Sequence, residues 1–319
     1  MPIPTPRNNE TDSQFMDRCM SDPVMTSEYP RQDQRAAVCS AQLGKQKAYS
    51  PAGANTINRL RGQFRKKYKK EMTNALDKLV KPVFDEIQQG ANGEQLMNAI
   101  DTIIKPAPIQ DIYEKMVPEI GIYFAEREYR KAKSFLGNDI QLKSPVTGWT
   151  AKQEDEDEIL RDIWMQELIK FAREDLGQNI VSVTGNSKEL LRKYLGEILQ
   201  EQPGLGSVAQ TTELNDRLKK RWTKDRFWRA KRIVRTETTT ASNRGLRKGV
   251  DATGKDYDKT WSAAFVDTRQ DHIDAHGQTV GKDEYFNIGG AQMFEPGDPA
   301  GPVEQVVNCM CTETFEFKR

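Results

Sequence analysis

The chain has 319 residues, with 48 Lys and Arg against 47 Asp and Glu. Its four Cys and two His exclude a disulfide framework and leave few schemes for His-based catalysis. No apolar run approaches the roughly 18–20 residues of a membrane span, and the opening residues lack the apolar core of a secretory signal, so the expected setting is a cytoplasm with reduced thiols.

Residues 1–45 predict a short helical-hairpin module. Helices are expected over 12–20 and 31–43, with Pro23 and Pro30 punctuating the link. Cys19 and Cys39 fall inside these helices. A hairpin could bring the thiols together, but burial as two small apolar residues is the simpler expectation. Residues 46–55 read as a linker. Then Ile57, Leu60, Phe64, Tyr68, Met72, Leu76 and Leu79 recur at steps of three and four. That stripe predicts an amphipathic helix to Pro82, continuing toward Gln89. Its first turns are basic, with Arg59, Arg61, Arg65, Lys66, Lys67, Lys69 and Lys70 and no acid among them.

Further helices are expected over 93–104 and 109–135, with Pro118 as a break in the second. Residues 137–153 read as a loop. Five consecutive acids, Glu154–Glu158, suit a helix start, where the macrodipole favours negative charge. That helix should stop near Gly177, and others are predicted over 187–199 and, as one or two pieces, over 212–245. Residues 56–250 therefore form a helical domain. Composition changes near 255, and 251–319 read as a small module of short pieces. Trp261 lies in a strand, Asp267 caps a short helix ended by Gly277, and 287–302 is a Gly/Pro-rich loop. The expected fold class is α+β, a mainly helical body with a small C-terminal α+β module.

Three constellations could carry chemistry. From Arg217 to Lys248 thirteen Lys and Arg face only Asp225 and Glu237, and Trp222, Phe227 and Trp228 lie among them. Arg217, Lys219, Lys220, Arg221, Lys224, Arg226, Arg229, Lys231 and Arg232 are the candidate contacts for nucleic acid or an acidic protein. A solvated helix face is the plain alternative. Second, His272 and His276 are four apart, as ligands on one helix face would be, while Cys309 and Cys311 alternate as on a strand. Two His and two Cys make a tetrahedral set for a structural Zn²⁺ that could staple a module with little core. A hydrogen-bonded His pair with two buried thiols is the competing reading. Third, Arg235 and Glu237 cannot pair within one helix. A buried Arg–Glu pair bridging body and module would suit the composition, with Asp267 and Arg269 as potential partners, and plain surface charges are the equal alternative. No phosphate-binding loop of the G-x-x-x-x-G-K-[ST] kind and no G-x-S-x-G elbow occurs.

The order of these residues resembles the phage head morphogenesis family, the Mu F-like minor head proteins. The resemblance rests on R-A-K-R-I-V-R-T-E at 229–237, which includes Arg235 and Glu237. It continues through Asn243, Trp261, Asp267, Arg269, His272, His276-Gly277, Pro296-Gly297-Asp298-Pro299, Glu304 and Asn308-Cys309-Met310-Cys311. Met310 stands where the family usually has Arg, and Gln270-Asp271 replace a common hydroxyl-Arg or Arg-Pro pair. Residues 5–42 also look like a short module found at the N-termini of other phage structural and maturation proteins. The resemblance implies a non-enzymatic virion component, present in few copies near the portal vertex and acting in head morphogenesis and genome packaging or delivery. The implied partners are the portal or major capsid protein, with packaged DNA as a further contact and no membrane. The alternatives are a DNA-binding protein using residues 217–248 and a metal-dependent nuclease centred on His272 and His276.

Overall fold

A computed structural model of the chain describes residues 4, 12–32, 34–35, 38–39, 53–137, 153–202 and 211–318. Two compact units are present, one comprising Met1–Pro51 with Ser134–Gly137 and the other the remaining residues from Ala52 onward. The expected loop over 137–153 lies almost wholly outside the described residues, as does most of the linker 46–55.

In the first unit, α1 (Asp12–Ser21) and α2 (Pro23–Glu28) are joined at Asp22. The Asp22 carboxylate accepts from the Val24 and Met25 amides at 2.9 and 3.3 Å, so it caps α2, and Pro23 fits a first turn that needs no amide donor. Sequence had placed only a link here. The described residues of the expected 31–43 helix are helical at 32, 34–35 and 38–39. Phe15, Cys19, Met25 and Cys39 form a small buried cluster. Cys19 and Cys39 are joined as a disulfide with their Cα atoms 5.9 Å apart, not held as separate reduced thiols. So few apolar side chains stabilise the unit weakly, and a cross-link over a separation of 20 residues adds about 3 kcal/mol.

The second unit is built on two long helices packed along each other, α3 (Ala54–Gln88) and α8 (Thr211–Asp251). Between them in sequence run α4 (Gly93–Ile103), α5 (Ala107–Leu136), α6 (Gln153–Arg173) and α7 (Gly177–Glu201). Neither Pro82 nor Pro118 breaks its helix. Leu79, Val80, Val83 and Ile87 are buried around the first, and Met116, Val117 and Ile120 around the second. Each burial is worth about 1.5–3 kcal/mol, which offsets the missing backbone hydrogen bond. Likewise α7 begins ten residues before the predicted 187, because Ile180 and Thr184 are already buried on its inner face.

Small residues set how closely the helices approach. A Cβ on Gly245 would lie 2.1 Å from the Gly121 carbonyl oxygen, and one on Gly249 would lie 2.3 Å from that of Ala125. The G-x-x-x-G spacing thus puts one turn of α8 backbone directly on α5.

The C-terminal module joins the same compact unit. β1 (Tyr257–Ser262) pairs antiparallel with β2 (Thr279–Gly281) on one side and β5 (Thr312–Phe317) on the other, from Tyr257–Phe317 through Ser262–Thr312. Between β1 and β2 lies α9 (Gln270–Asp274). The expected loop over 287–302 contains part of a tight hairpin, β3 (Phe286–Ile288) and β4 (Ala291–Met293), turned by Gly289 and Gly290 at positive φ. A short α10 (Val303–Val306) follows. Asp267 is not the cap of α9, since its own φ is +48° and the cap position is Arg269. The architecture is the expected α+β class, a helical body with small antiparallel sheets at the C-terminus.

Gly245→Ala should cost about 1–3 kcal/mol in urea unfolding, because backbone blocks the added methyl. Gly185→Ala on α7, which would meet nothing within 4 Å, should be neutral or stabilise by roughly 0.5–1 kcal/mol.

Candidate functional site

The buried face of α8 over residues 236–247 reads the backbone of the module. Thr239 Oγ1 donates to the Cys309 carbonyl at 2.7 Å, and Thr240 Oγ1 to that of Gly297 at 2.8 Å. Asn243 Nδ2 donates to the Pro296 and Cys311 carbonyls at 2.7 and 3.2 Å, and its Oδ1 accepts from Thr312 Oγ1. The Asn308 amide donates to Thr236 Oγ1 at 3.0 Å. Buried carbonyls require donors, and a comb of hydroxyls and one amide at helical spacing supplies them. Gly297 holds φ +83° with Thr240 pressed against it, so a side chain there would both strain the backbone and clash. Asp298 fixes the same loop by accepting from the Phe294 and Ala300 amides.

Arg61 of α3 joins this seam from the other side. It is fully buried and donates to Ser242 Oγ at 2.6 Å, Asn243 Oδ1 at 3.0 Å, and the Met310 and Cys311 carbonyls at 3.0 and 3.1 Å. Burial lowers its pKa to about 9, and neighbouring Arg65 adds to the effect. A second buried link was expected between body and module, and it exists with other partners. Arg247 donates to Glu313 at 2.6 and 3.2 Å and lies 3.5 Å from Glu295. Lys259, buried beside it, is lowered to about 8 by desolvation and by Arg247. Among the described residues Arg235 pairs with the exposed Asp267, at 3.8 Å, and Arg269 donates to the Val307 carbonyl.

Glu237 faces a cavity of about 680 Å³. Its Oε1 accepts from Tyr113 and Asn179 at 3.0 and 3.2 Å. Burial nevertheless raises its pKa to about 7.

Beneath the seam, His272, Cys309 and Cys311 are all buried, with donor atoms within 4.8 Å of one another. The His272 Nδ1 lies 3.4 Å from Cys311 Sγ and 3.6 Å from Cys309 Sγ. Hydrogen bonding fixes the ring. Gln305 Nε2 donates to Asp271 Oδ2 at 2.8 Å, so Gln305 Oε1 must face His272 Nε2, 2.9 Å away. A carbonyl only accepts, hence Nε2 carries a proton, and Nδ1, which faces the sulfurs, is the ring atom that would ligate a metal there. Trp261, edge-on to the imidazole at 5.3 Å, holds its plane. Cys311 is pushed down to about 5 by the hydrogen bond from the Cys309 thiol, while Cys309 is raised correspondingly.

This donor set fits a thiophilic divalent ion. Tetrahedral bonds of the usual zinc lengths place N and S about 3.6 Å apart, close to both separations. A metal ion there would take the Nδ1 lone pair and both sulfurs together. His276 does not join the set. Helix α9 ends at Asp274, so the helical four-residue spacing is lost, and exposed His276 instead accepts from the Ala263 amide at 3.2 Å and packs on Phe265. Nor do the cysteines lie in a strand, since β5 starts at Thr312.

The basic stretch divides in two. Arg217 pairs with Glu213 and Glu201, Arg221 with Glu197 and Glu201, and Arg226 with Asp77. Arg229 folds down on Ser187 Oγ at 2.7 Å, while Lys219, Lys220, Lys224, Lys231 and Arg232 are exposed. Trp222 is buried, but Phe227 and Trp228 are 43% and 63% exposed. Sequence reading had no means of finding Arg61, Arg247, Glu295, Gln305 or Glu313 as site residues, because their partners lie 33 to 250 positions away.

No family model, curated protein or solved structure matches this chain.

Glu237 makes a pH-dependent contribution with a definite sign. Its pKa rises from 4.5 to about 7 on folding. Between those values the unfolded chain is ionised and the native one is not, so stability falls as pH rises through this window. The gap corresponds to roughly 3 kcal/mol. Glu237→Gln should flatten the pH 4.5–7 limb in chemical denaturation and leave the variant more stable than the parent at pH 8.

Proposed function

We propose that the chain is a portal-associated minor head protein of a tailed phage, located in the virion head near the portal vertex and in the host cytoplasm during assembly. It acts in head morphogenesis and genome packaging or delivery as a structural component rather than an enzyme. One observation carries this reading. The motif residues on which the resemblance rests, from Thr236 and Asn243 to Gly297, Asp298, Asn308 and Cys311, serve one buried seam. Their polar groups are spent on backbone carbonyls and amides, which is the work of holding a module in place. Such a module, rigidly set on a helical body, suits docking to a larger assembly. Its partner is the portal protein, with the major capsid protein as the neighbouring contact.

The metal completing the seam is a structural Zn²⁺ held by His272 Nδ1, Cys309 and Cys311. Bound there, it would neutralise the thiolates and cross-link α9 to the segment entering β5, much as a disulfide would.

Two measurements check these statements. Tagged protein recovered from phage-producing cells should bring down the portal protein, and recovery with neither portal nor capsid protein would contradict the reading. Elemental analysis of the purified chain should give about one zinc per molecule. Cys309→Ser with Cys311→Ser should abolish that content and lower the unfolding free energy by several kcal/mol.

A further inference from the structure

We infer that the groove between α3 and α8 is a binding site for the phosphate backbone of a nucleic acid, formed by Arg65, Lys66 and Lys69 of one helix and Lys231 and Arg235 of the other. The inference does not rest on the head-protein reading. It follows from how the fold sorts the two basic stretches of sequence.

In the stretch with most cations, 217–226, the three arginines are neutralised, while Lys219, Lys220 and Lys224 stand exposed on an open helix face. The arginines are paired with glutamates and an aspartate on α3, α7 and α8 itself. The groove is different. It is a cavity of about 410 Å³ lined by five cations and a single carboxylate, Asp267. That carboxylate is 80% exposed and 3.8 Å from Arg235, too loose and too solvated to cancel the charge. Arg65 and Arg235 are near enough to repel one another, and the Nε of each lacks a hydrogen-bond partner among the described residues. Like charges held together by a packed scaffold raise the local potential, and an anion is what lowers it.

The shape of the groove selects among anions. Its floor is apolar, formed by Val234 and Met310, with the cations on the walls. A nucleic-acid strand matches that division, since its sugars present apolar edges and its phosphates recur along a line. The rim adds aromatic surface. Phe227 and Trp228 are exposed, with Lys69 4.3 Å from the first ring centroid and Lys231 5.0 Å from the second. Lysines over exposed rings beside a cationic channel resemble the parts used to track nucleic-acid strands. An acidic peptide would use the cations but has no need of the floor and rim.

The test uses the full chain and labelled DNA, a 30-mer duplex and the matching single strand, in fluorescence anisotropy across a salt series. Binding at low salt should weaken with a slope of about −4 in log K against log salt for the duplex, as expected when four to five phosphates are neutralised. Lys66→Glu with Lys231→Glu, both exposed and outside the packed interior, should lose at least tenfold in affinity. Lys66→Gln with Lys231→Gln should lose less but in the same direction. Lys219→Glu with Lys220→Glu and Lys224→Glu should change affinity less than twofold. Absence of binding to either DNA at low salt would overturn the inference, as would equal losses in the two glutamate variants. Displacement of DNA by polyglutamate at matched charge concentration would assign the groove to an acidic protein instead. Portal co-purification is unaffected by any of these outcomes, so the two readings can fail separately.

Discussion

Arg61 is a guanidinium buried with no carboxylate on it. Its contacts are instead a serine hydroxyl, the amide oxygens of Asn58 and Asn243, and the backbone carbonyls of Met310 and Cys311. Neutral acceptors can hold a buried cation only if they converge from fixed positions, because each lost contact leaves an uncompensated charge in low dielectric. That requirement ties three segments together. Helix α3 supplies the cation, α8 supplies Ser242 and Asn243, and the approach to β5 supplies the carbonyls. The Cys309 and Cys311 sulfurs provide nearby negative charge that favours the ionised guanidinium. Arg61 and the two sulfurs are therefore mutually supporting, and a metal on the sulfurs would alter the charge Arg61 meets.

The rest of the seam follows from the same geometry. With α3 and α8 fixed, the hydroxyls of Thr236, Thr239 and Thr240 meet the module at helical spacing. Gly245 and Gly249 let α5 approach from another side. The Arg247–Glu313 pair then closes the far end, joining α8 directly to the sheet. Body and module share one interior, which is why the expected boundary near residue 250 falls within one compact unit. The basic groove lies against the same construction, with Met310 at its floor between the two candidate ligands. A nucleic acid in that groove would sit beside the Cys309–Cys311 segment, which gives the proposed packaging role a physical location.

Much of this architecture was legible in the sequence. The three-and-four periodicity from Ile57 to Leu79 located α3, and the acid run at 154–158 marked the start of α6. The C-x-C pair and His272 were recognisable as candidate ligands because so few such residues occur. What escaped was set by tertiary contact. Pro118 read as a break because local propensity cannot weigh the burial around it. His276 read as a ligand because its spacing matched a helix that ends two residues too early. Arg61 looked like one more cation in a basic helix start, and nothing local separates it from exposed Lys66. Charge counting alone favoured the whole stripe 217–248, whereas pairing with acids elsewhere in the chain occupies Arg217, Arg221 and Arg226 and sets the α3–α8 groove, with Lys231 and Arg235, apart.

The central claim is that Arg61 couples the helical body to the module. Hydrogen exchange of an Arg61→Met variant tests it most directly, since methionine keeps much of the volume and removes every donor. Amides of α8 over 236–250 and of the module over 257–317 should lose protection together, while those of α4 and α7 keep theirs. Loss confined to the immediate neighbours of residue 61, with β1 and β5 as protected as in the parent, would contradict the account.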